Sequence, residues 1–176
     1  ILKDLVAGLY ILLERPFHIG DQITTATYTG VVENVELRAT RIRLATGEEL
    51  TLPNAMVFGG IVINNTRFDE RRASIRLTMR EEEFSKEETP DQILKTVREI
   101  ENVLVKPEPA IYVSRFSGTF DSATGATVSN NIQMVVLTAR FWIATGHYST
   151  VTEVMSALHR ALPNVDLLVE DAGGNV

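Results

Sequence analysis

With 176 residues, 44% hydrophobic and 23% charged, the chain has the composition of a folded protein rather than a disordered one, and its length allows one large domain or two small ones. It has no cysteine, which excludes disulfides, thiolate zinc sites and cysteine nucleophiles. The net charge of -6 is uneven: residues 1–80 carry 10 basic and 9 acidic side chains and the remainder 7 and 14, an acidic balance that disfavours nonspecific nucleic-acid binding.

The first element is the apolar stretch ILKDLVAGLYILL, residues 1–13, in which only Lys3 and Asp4 are charged. Leu2, Leu5, Val6, Leu9, Leu12 and Leu13 recur at helical spacing, with other apolar side chains filling much of the remaining surface. Pro16 disfavours helix at Arg15 and lacks the N–H needed for continuation, so the helix is expected to stop near Glu14. Thirteen residues reach only about 20 Å, short of the roughly 30 Å hydrocarbon core. Two readings stand at this point: a helix packed on its own domain, or the end of a longer transmembrane helix.

From Asp21 to Thr66 the pattern is one of short strands. Val31, Val32, Val35 and Leu37 precede a run in which Ile42 and Leu44 alternate with Arg41 and Arg43, and Leu50 and Leu52 follow the Gly47 turn. Strands of this length, with expected turns at Gly20, Gly30 and Gly47, predict a small antiparallel β-barrel of Sm/SH3-like type. Pro53 ends the last clear strand, and Asn54 is expected to cap a short helical turn before the run Ile61–Ile63.

Beyond Arg67, Ala73, Ile75, Leu77 and Met79 alternate as a strand. Thr89, Pro90, Asp91 and Gln92 read as a capping box, and the helix that follows is expected to show Ile93, Leu94, Val97, Ile100 and Leu104 on one face and to close by Pro107. Ile111, Val113 and Phe116 mark a strand, and SGTFDSATG, residues 117–125, reads as a hairpin loop. Ile132–Ile143 is a long strand with two apolar sets, expected to be central. Thr150 and Glu153 predict a second capping box before the helical face of Val154, Met155, Leu158, Ala161 and Leu162, and Val165, Leu167 and Val169 alternate as a final strand. The order from residue 72 onward is β-α-β-β-α-β, that of a ferredoxin-like fold, a class that hosts many functions.

Little in the chain carries chemistry. His18, His147 and His159 lie on different elements with no partner at metal-ligand spacing, so no metal site is expected. No Walker A loop, GxGxxG, GxSxG or paired-carboxylate motif is present, and no enzyme and no cofactor are expected. Arg67, Arg71, Arg72, Arg76 and Arg80 are the candidate basic patch and read as a solvated strand face. Trp142 reads as core or subunit interface.

The segment DLVAGLYILLERPFHIGDQI resembles the end of the third transmembrane helix of small-conductance mechanosensitive (MscS-type) channels and their junction into the β domain, here Arg15, Pro16, Phe17, Gly20 and Asp21. The similarity continues through Gly30, Val32 and Val35, then Thr40 and Arg43, then Leu52, Pro53 and Asn54, then the run ending at Asn64. It is strong over residues 1–66 and beyond them rests on element order. The resemblance implies an α+β chain with three parts: the end of a pore-lining helix at 1–16, a β-barrel domain at 17–66 and a ferredoxin-like vestibule domain at 67–176. Leu2, Asp4, Leu5, Ala7, Gly8, Leu9 and Leu12 would form the pore-helix end, Ala7 and Gly8 permitting close helix approach. Arg15 would sit at headgroup level.

It further implies a homo-oligomer, a heptamer in the best known members, in the cell (inner) membrane with this region on the cytoplasmic side. Its partners would be its own copies, the lipid bilayer and permeating ions and small solutes, and no nucleic acid is expected. Tension would open the pore and relieve hypo-osmotic stress. A contact between the start of the helix and the β domain, matched by Asp4 and Asn54, is expected to influence inactivation. The first two transmembrane helices and the family's hydrophobic seal lie outside these residues, so this stretch alone should not conduct. His18 stands where the junction has a second basic residue, and no family ending is recognisable after Val169. The acidic second half predicts a preference for cations. The competing reading is a soluble oligomeric module binding RNA or a small ligand, which leaves the N-terminal helix unexplained.

Overall fold

The computed structural model describes residues 2–116, 119–120, 127–128 and 134–172. They form a mixed α/β structure with antiparallel sheets, divided into two compact units, Ile1–Asp69 and Glu70–Asn175.

The first unit opens with α1 (Leu2–Glu14), followed by β1 (Gln22–Thr25), β2 (Tyr28–Val35), β3 (Ala39–Leu44), β4 (Glu49–Pro53), α2 (Asn54–Gly59) and β5 (Val62–Asn64). The sheet order is β4-β3-β2-β1-β5, with antiparallel pairing throughout. Helix α1 ends where Pro16 requires, and Arg15 takes a positive φ of 47°. Its core joins Ile11 of α1 and Phe17 of the junction to Ile23, Val32, Ile42, Leu52 and Val57.

The expected turn at Gly30 is corrected. Gly30 lies inside β2, paired with Ile23 on one side and Leu44 on the other, and a Cβ there would sit 2.7 Å from the carbonyl oxygen of Arg43. Glycine is required for close strand approach, and the turn falls instead at Ala26–Thr27, between the paired Thr25 and Tyr28. Gly47, with φ 96°, turns β3 into β4 as expected. A bulge at Glu33 shifts the β2–β3 register between Val32 and Asn34.

The second unit comprises β6 (Glu70–Arg80), a 3-10 turn at Glu81–Glu83, α3 (Glu88–Arg98), β7 (Ala110–Phe116), the short pair β8 (Thr119–Phe120) and β9 (Thr127–Val128), β10 (Met134–Ala144), α4 (Ser149–Ala161) and β11 (Asp166–Ala172). The main sheet runs β11-β6-β10-β7, every pair antiparallel, so β10 is central. Of the expected 117–125 loop, Thr119–Phe120 pairs with Thr127–Val128; the rest of that segment and Ile132 lie outside the described residues. One sheet face, built from Ala73, Ile75, Leu77 and Met79 with Val135, Leu137, Ala139, Phe141 and Ile143, packs against Ile93 and Val97 of α3 and Val151, Val154 and Leu158 of α4. The second apolar set of β10, Met134, Val136 and Trp142, is half-buried on the opposite face.

Helix boundaries differ from the sequence expectation for local polar reasons. Helix α3 begins at Glu88, so Thr89 lies inside its first turn. The hydroxyl of Ser85 accepts from the Glu88 N–H at 3.3 Å and Thr89 Oγ1 accepts from the Ser85 N–H at 3.0 Å, a reciprocal cap set a turn earlier. The helix ends at Arg98; Ile100 and Leu104 lie beyond it, where Asn102 adopts φ 68° and the Leu104 N–H bonds the Trp142 carbonyl at 2.8 Å. Helix α4 includes Thr150 rather than being capped by it, and Thr150 Oγ1 is buried without a hydrogen-bond partner.

Candidate functional site

Helix α1 presents two chemically distinct faces. Ala7, Gly8 and Ile11 are buried against the rest of the first unit, whereas Leu2, Leu5, Val6, Leu9, Leu12 and Leu13 stand between 38% and 74% exposed. The apolar stripe visible in the sequence is thus the face turned away from the helix's own unit. Fully burying one such side chain is worth about 1.5–3 kcal/mol, and a contiguous exposed patch of this kind marks an interaction surface. Docking uses the small residues because the approach is close. A Cβ on Gly8 would meet the Leu37 carbonyl oxygen at 2.1 Å and Asn54 Nδ2 at 2.4 Å, so no other residue fits without separating the elements. Tyr10 adds a stacked contact with Phe58 of α2, ring centroids 5.4 Å apart.

The start of the helix is tied to the start of α2. Asp4 Oδ1 accepts from the Ala55 N–H at 3.3 Å, filling the role of a capping side chain that Asn54 was expected to play. Asn54 is fully buried and faces the sheet: its Oδ1 accepts from Thr40 Oγ1 at 2.9 Å, its Nδ2 donates to the Glu36 carbonyl at 2.8 Å, and its N–H donates to the Arg38 carbonyl at 3.0 Å. The two residues singled out as a gating contact therefore lie at one locus, linked through the Ala55 backbone. Beside them is an open cleft of about 500 Å³ lined by Asp4, Glu36, Arg38, Thr51 and Pro53 among others.

The junction is anchored twice. Phe17 is 3% exposed in the core, an apolar plug two residues beyond the exposed Arg15. Arg15 terminates α1, its N–H bonding the Ile11 carbonyl at 2.9 Å and its Nε reaching the Leu12 carbonyl at 3.4 Å, as suits a cation at a helix C-terminus. Gly20, with φ 96°, turns the chain and lets Asp21 Oδ2 accept from the His18 N–H at 2.9 Å and from Asn64 Nδ2 at 2.8 Å, while Thr66 Oγ1 lies 3.2 Å from Asp21 Oδ1. Burial raises the Asp21 pKa, but the His18 backbone N–H, Asn64, Thr66 and the nearby His18 ring together outweigh it and hold the carboxyl below its ordinary value of 3.8. Each of these donors favours the charged form.

Asn64 and Thr66 are functional-site candidates to which the sequence alone assigns no role. Polar partners separated by 43 and 45 residues leave no trace in local periodicity. Among the described residues no cluster of His, Asp and Glu could hold a metal ion, and no helix is long and apolar enough to cross a membrane. His147 and His159 are exposed, and Trp142 is half-buried on β10. Arg72, Arg76 and Arg80 are exposed on β6, where Arg76 pairs with Glu170 and Arg80 with Glu82, as a solvated strand face would be.

Residues 1–67 match the family described as "Mechanosensitive ion channel, beta-domain". The chain is 32% identical over 111 residues to the small-conductance mechanosensitive channel MscMJ of Methanocaldococcus jannaschii, 62% of this chain and 29% of that protein. To the large-conductance channel MscMJLR of the same organism it is 27% identical over 158 residues, 88% of this chain and 41% of that protein. To the mechanosensitive channel MscK of Escherichia coli it is 31% identical over 120 residues, 68% of this chain and 11% of that protein. The chain thus spans well under half the length of each of these relatives. In fold it is similar to Helicobacter pylori MscS in a closed state, with a TM-score of 0.73 at 20% identity over 94% of this chain and 61% of that one. It is equally similar to wild-type Arabidopsis thaliana MSL1, with a TM-score of 0.73 at 22% identity over 96% of this chain and 56% of that one. Residues 1–67 therefore belong to the β-domain family of mechanosensitive ion channels, and the chain as a whole is similar to MscS-type channels.

Proposed function

We propose that these residues form the pore exit and cytoplasmic vestibule of a tension-gated, weakly selective channel that releases ions and small solutes in hypo-osmotic stress. The observation that carries this reading is the division of α1: Gly8 and Ile11 dock on the β unit while Leu2, Leu5, Leu9, Leu12 and Leu13 remain exposed on the other side. A helix of this design suits a position between its own β domain and sister helices or lipid.

In this reading residues 1–16 are the end of the pore-lining helix, 17–66 an Sm/SH3-like barrel and 67–176 a ferredoxin-like vestibule domain. The five-stranded antiparallel sheet and the β11-β6-β10-β7 order with two helices on one face support those two fold names. The chain works as a homo-oligomer, a heptamer, in the cell (inner) membrane with this region on the cytoplasmic side. Arg15 lies at the membrane exit, Phe17, Gly20 and Asp21 fix the turn out of it, and the Asp4–Ala55 bond beside Asn54 is the contact through which the β domain biases inactivation. The 14 acidic against 7 basic side chains beyond residue 80 favour cations near the vestibule openings.

The test is physiological. Full-length protein expressed in cells stripped of their own tension-gated channels should restore survival of a sudden osmotic downshift. Expression at the membrane without any rescue would reject the reading.

A further inference from the structure

The exit of α1 is held to the end of the first unit by side chains. Asn64 Nδ2 donates to Asp21 Oδ2 at 2.8 Å and lies 3.5 Å from the Pro16 carbonyl oxygen. Thr66 Oγ1 accepts from the Gln22 N–H at 3.0 Å and is within hydrogen-bond reach of both Asp21 Oδ1, at 3.2 Å, and Asn64 Oδ1, at 3.3 Å; with a single proton it serves one of these at a time. Asn65 reinforces the same edge, its N–H bonding the Gln22 carbonyl at 2.7 Å and its Nδ2 bonding Thr24 Oγ1 at 2.9 Å. These bonds extend the three-residue backbone pairing of β1 with β5 past its end and up to the junction.

Resting on the reading of α1 as the end of a pore helix, we propose that Asp21, Asn64 and Thr66 are positioning residues. They form a clasp that ties the helix exit to β5, so that a displacement of the exit end of α1 is passed to β5 through this cluster. The Phe17 plug is apolar and non-directional, so it tolerates rotation of the exit. The clasp is directional, and its bonds to the carboxylate are charge-assisted, about twice as strong as neutral ones. Backbone bonds from Gly20 to Val32 and from Val32 to Asp21 hold the loop to β2; the clasp alone links Asp21 to Asn64 and Thr66. Cutting it leaves the β unit assembled and frees the helix exit.

The test uses the full-length channel in liposome patches, with Asp21→Ala, Asn64→Ala, the double variant and Asp21→Asn, which keeps an oxygen for Thr66. Each single alanine variant should lower the midpoint tension, and Asp21→Asn should lower it less. The double variant should go no further than the larger single shift, because both substitutions cut one clasp. Amide exchange should quicken at His18 and Gln22 and stay unchanged at Ile42. Thr66→Val, which deletes one hydroxyl, provides the same test with a smaller shift in the same direction should the alanine variants not assemble. Wild-type gating with variants at the wild-type midpoint, or shifts that add, would overturn the clasp alone. A wild-type channel deaf to tension would overturn the channel reading and the clasp with it.

Discussion

Asp4 on α1 and Ala55 on α2 are joined by a hydrogen bond of 3.3 Å from the Ala55 N–H to the Asp4 carboxylate, so a side chain 51 residues away supplies the cap that α2 does not provide for itself. Removing a cap of this kind costs about 0.5–2 kcal/mol. Asp4→Ala should destabilise the first unit by that amount in denaturant titration, with Asp4→Asn recovering much of it because it keeps an acceptor. In full-length protein the alanine variant should also alter inactivation under sustained tension. Unchanged inactivation would remove Asp4 from the gating account.

Gly8 sets the distance between α1 and the β unit. With Leu37 and Asn54 at 2.1 Å and 2.4 Å from a Cβ, Gly8→Ala should cost at least the roughly 1–3 kcal/mol typical of overpacking, despite alanine's better helix propensity. The loss should appear as a lower thermal midpoint and faster amide exchange in α1. A stabilised Gly8→Ala protein would show that the helix does not dock here.

The Asp21 carboxyl gives the first unit an acid limit. Because its folded pKa is lowered from 3.8, its stabilisation is fully present above the ordinary value and is lost as pH falls through the folded value. Stability followed from neutral pH downward should therefore decline more steeply below 3.8 in the wild type than in Asp21→Asn. Parallel curves for the two proteins would contradict the charge assignment.

Thr150 tests the second unit. Thr150 is 1% exposed and its hydroxyl is buried and unpartnered, and an unsatisfied buried polar group costs about 1–3 kcal/mol. Thr150→Val preserves the branched shape, removes the orphan oxygen and should raise the unfolding midpoint. A lower midpoint would mean that the hydroxyl is satisfied in solution.

Features governed by local chemistry were legible in the sequence. Pro16 ended α1, Gly47 turned β3 into β4, and the alternation of Ala73, Ile75, Leu77 and Met79 identified the buried face of β6. What escaped depended on distant partners. Gly30 looked like a turn because its requirement for a missing Cβ comes from Arg43 on the neighbouring strand. Thr89 and Thr150 looked like caps because their spacing fits, while Ser85 caps α3 and Thr150 is drawn inside α4. The same holds for the site. The stripe of α1 was visible, but which face docks depended on how Gly8 meets Leu37, and the partners of Asp21 come from residues 64 and 66.

In the proposed function, α1 is the exit of a pore opened by membrane tension. Full-length protein reconstituted in liposomes, with current recorded during graded suction, tests it most directly. Discrete openings whose probability rises with suction are expected. Correctly oriented protein that passes no suction-dependent current would contradict it.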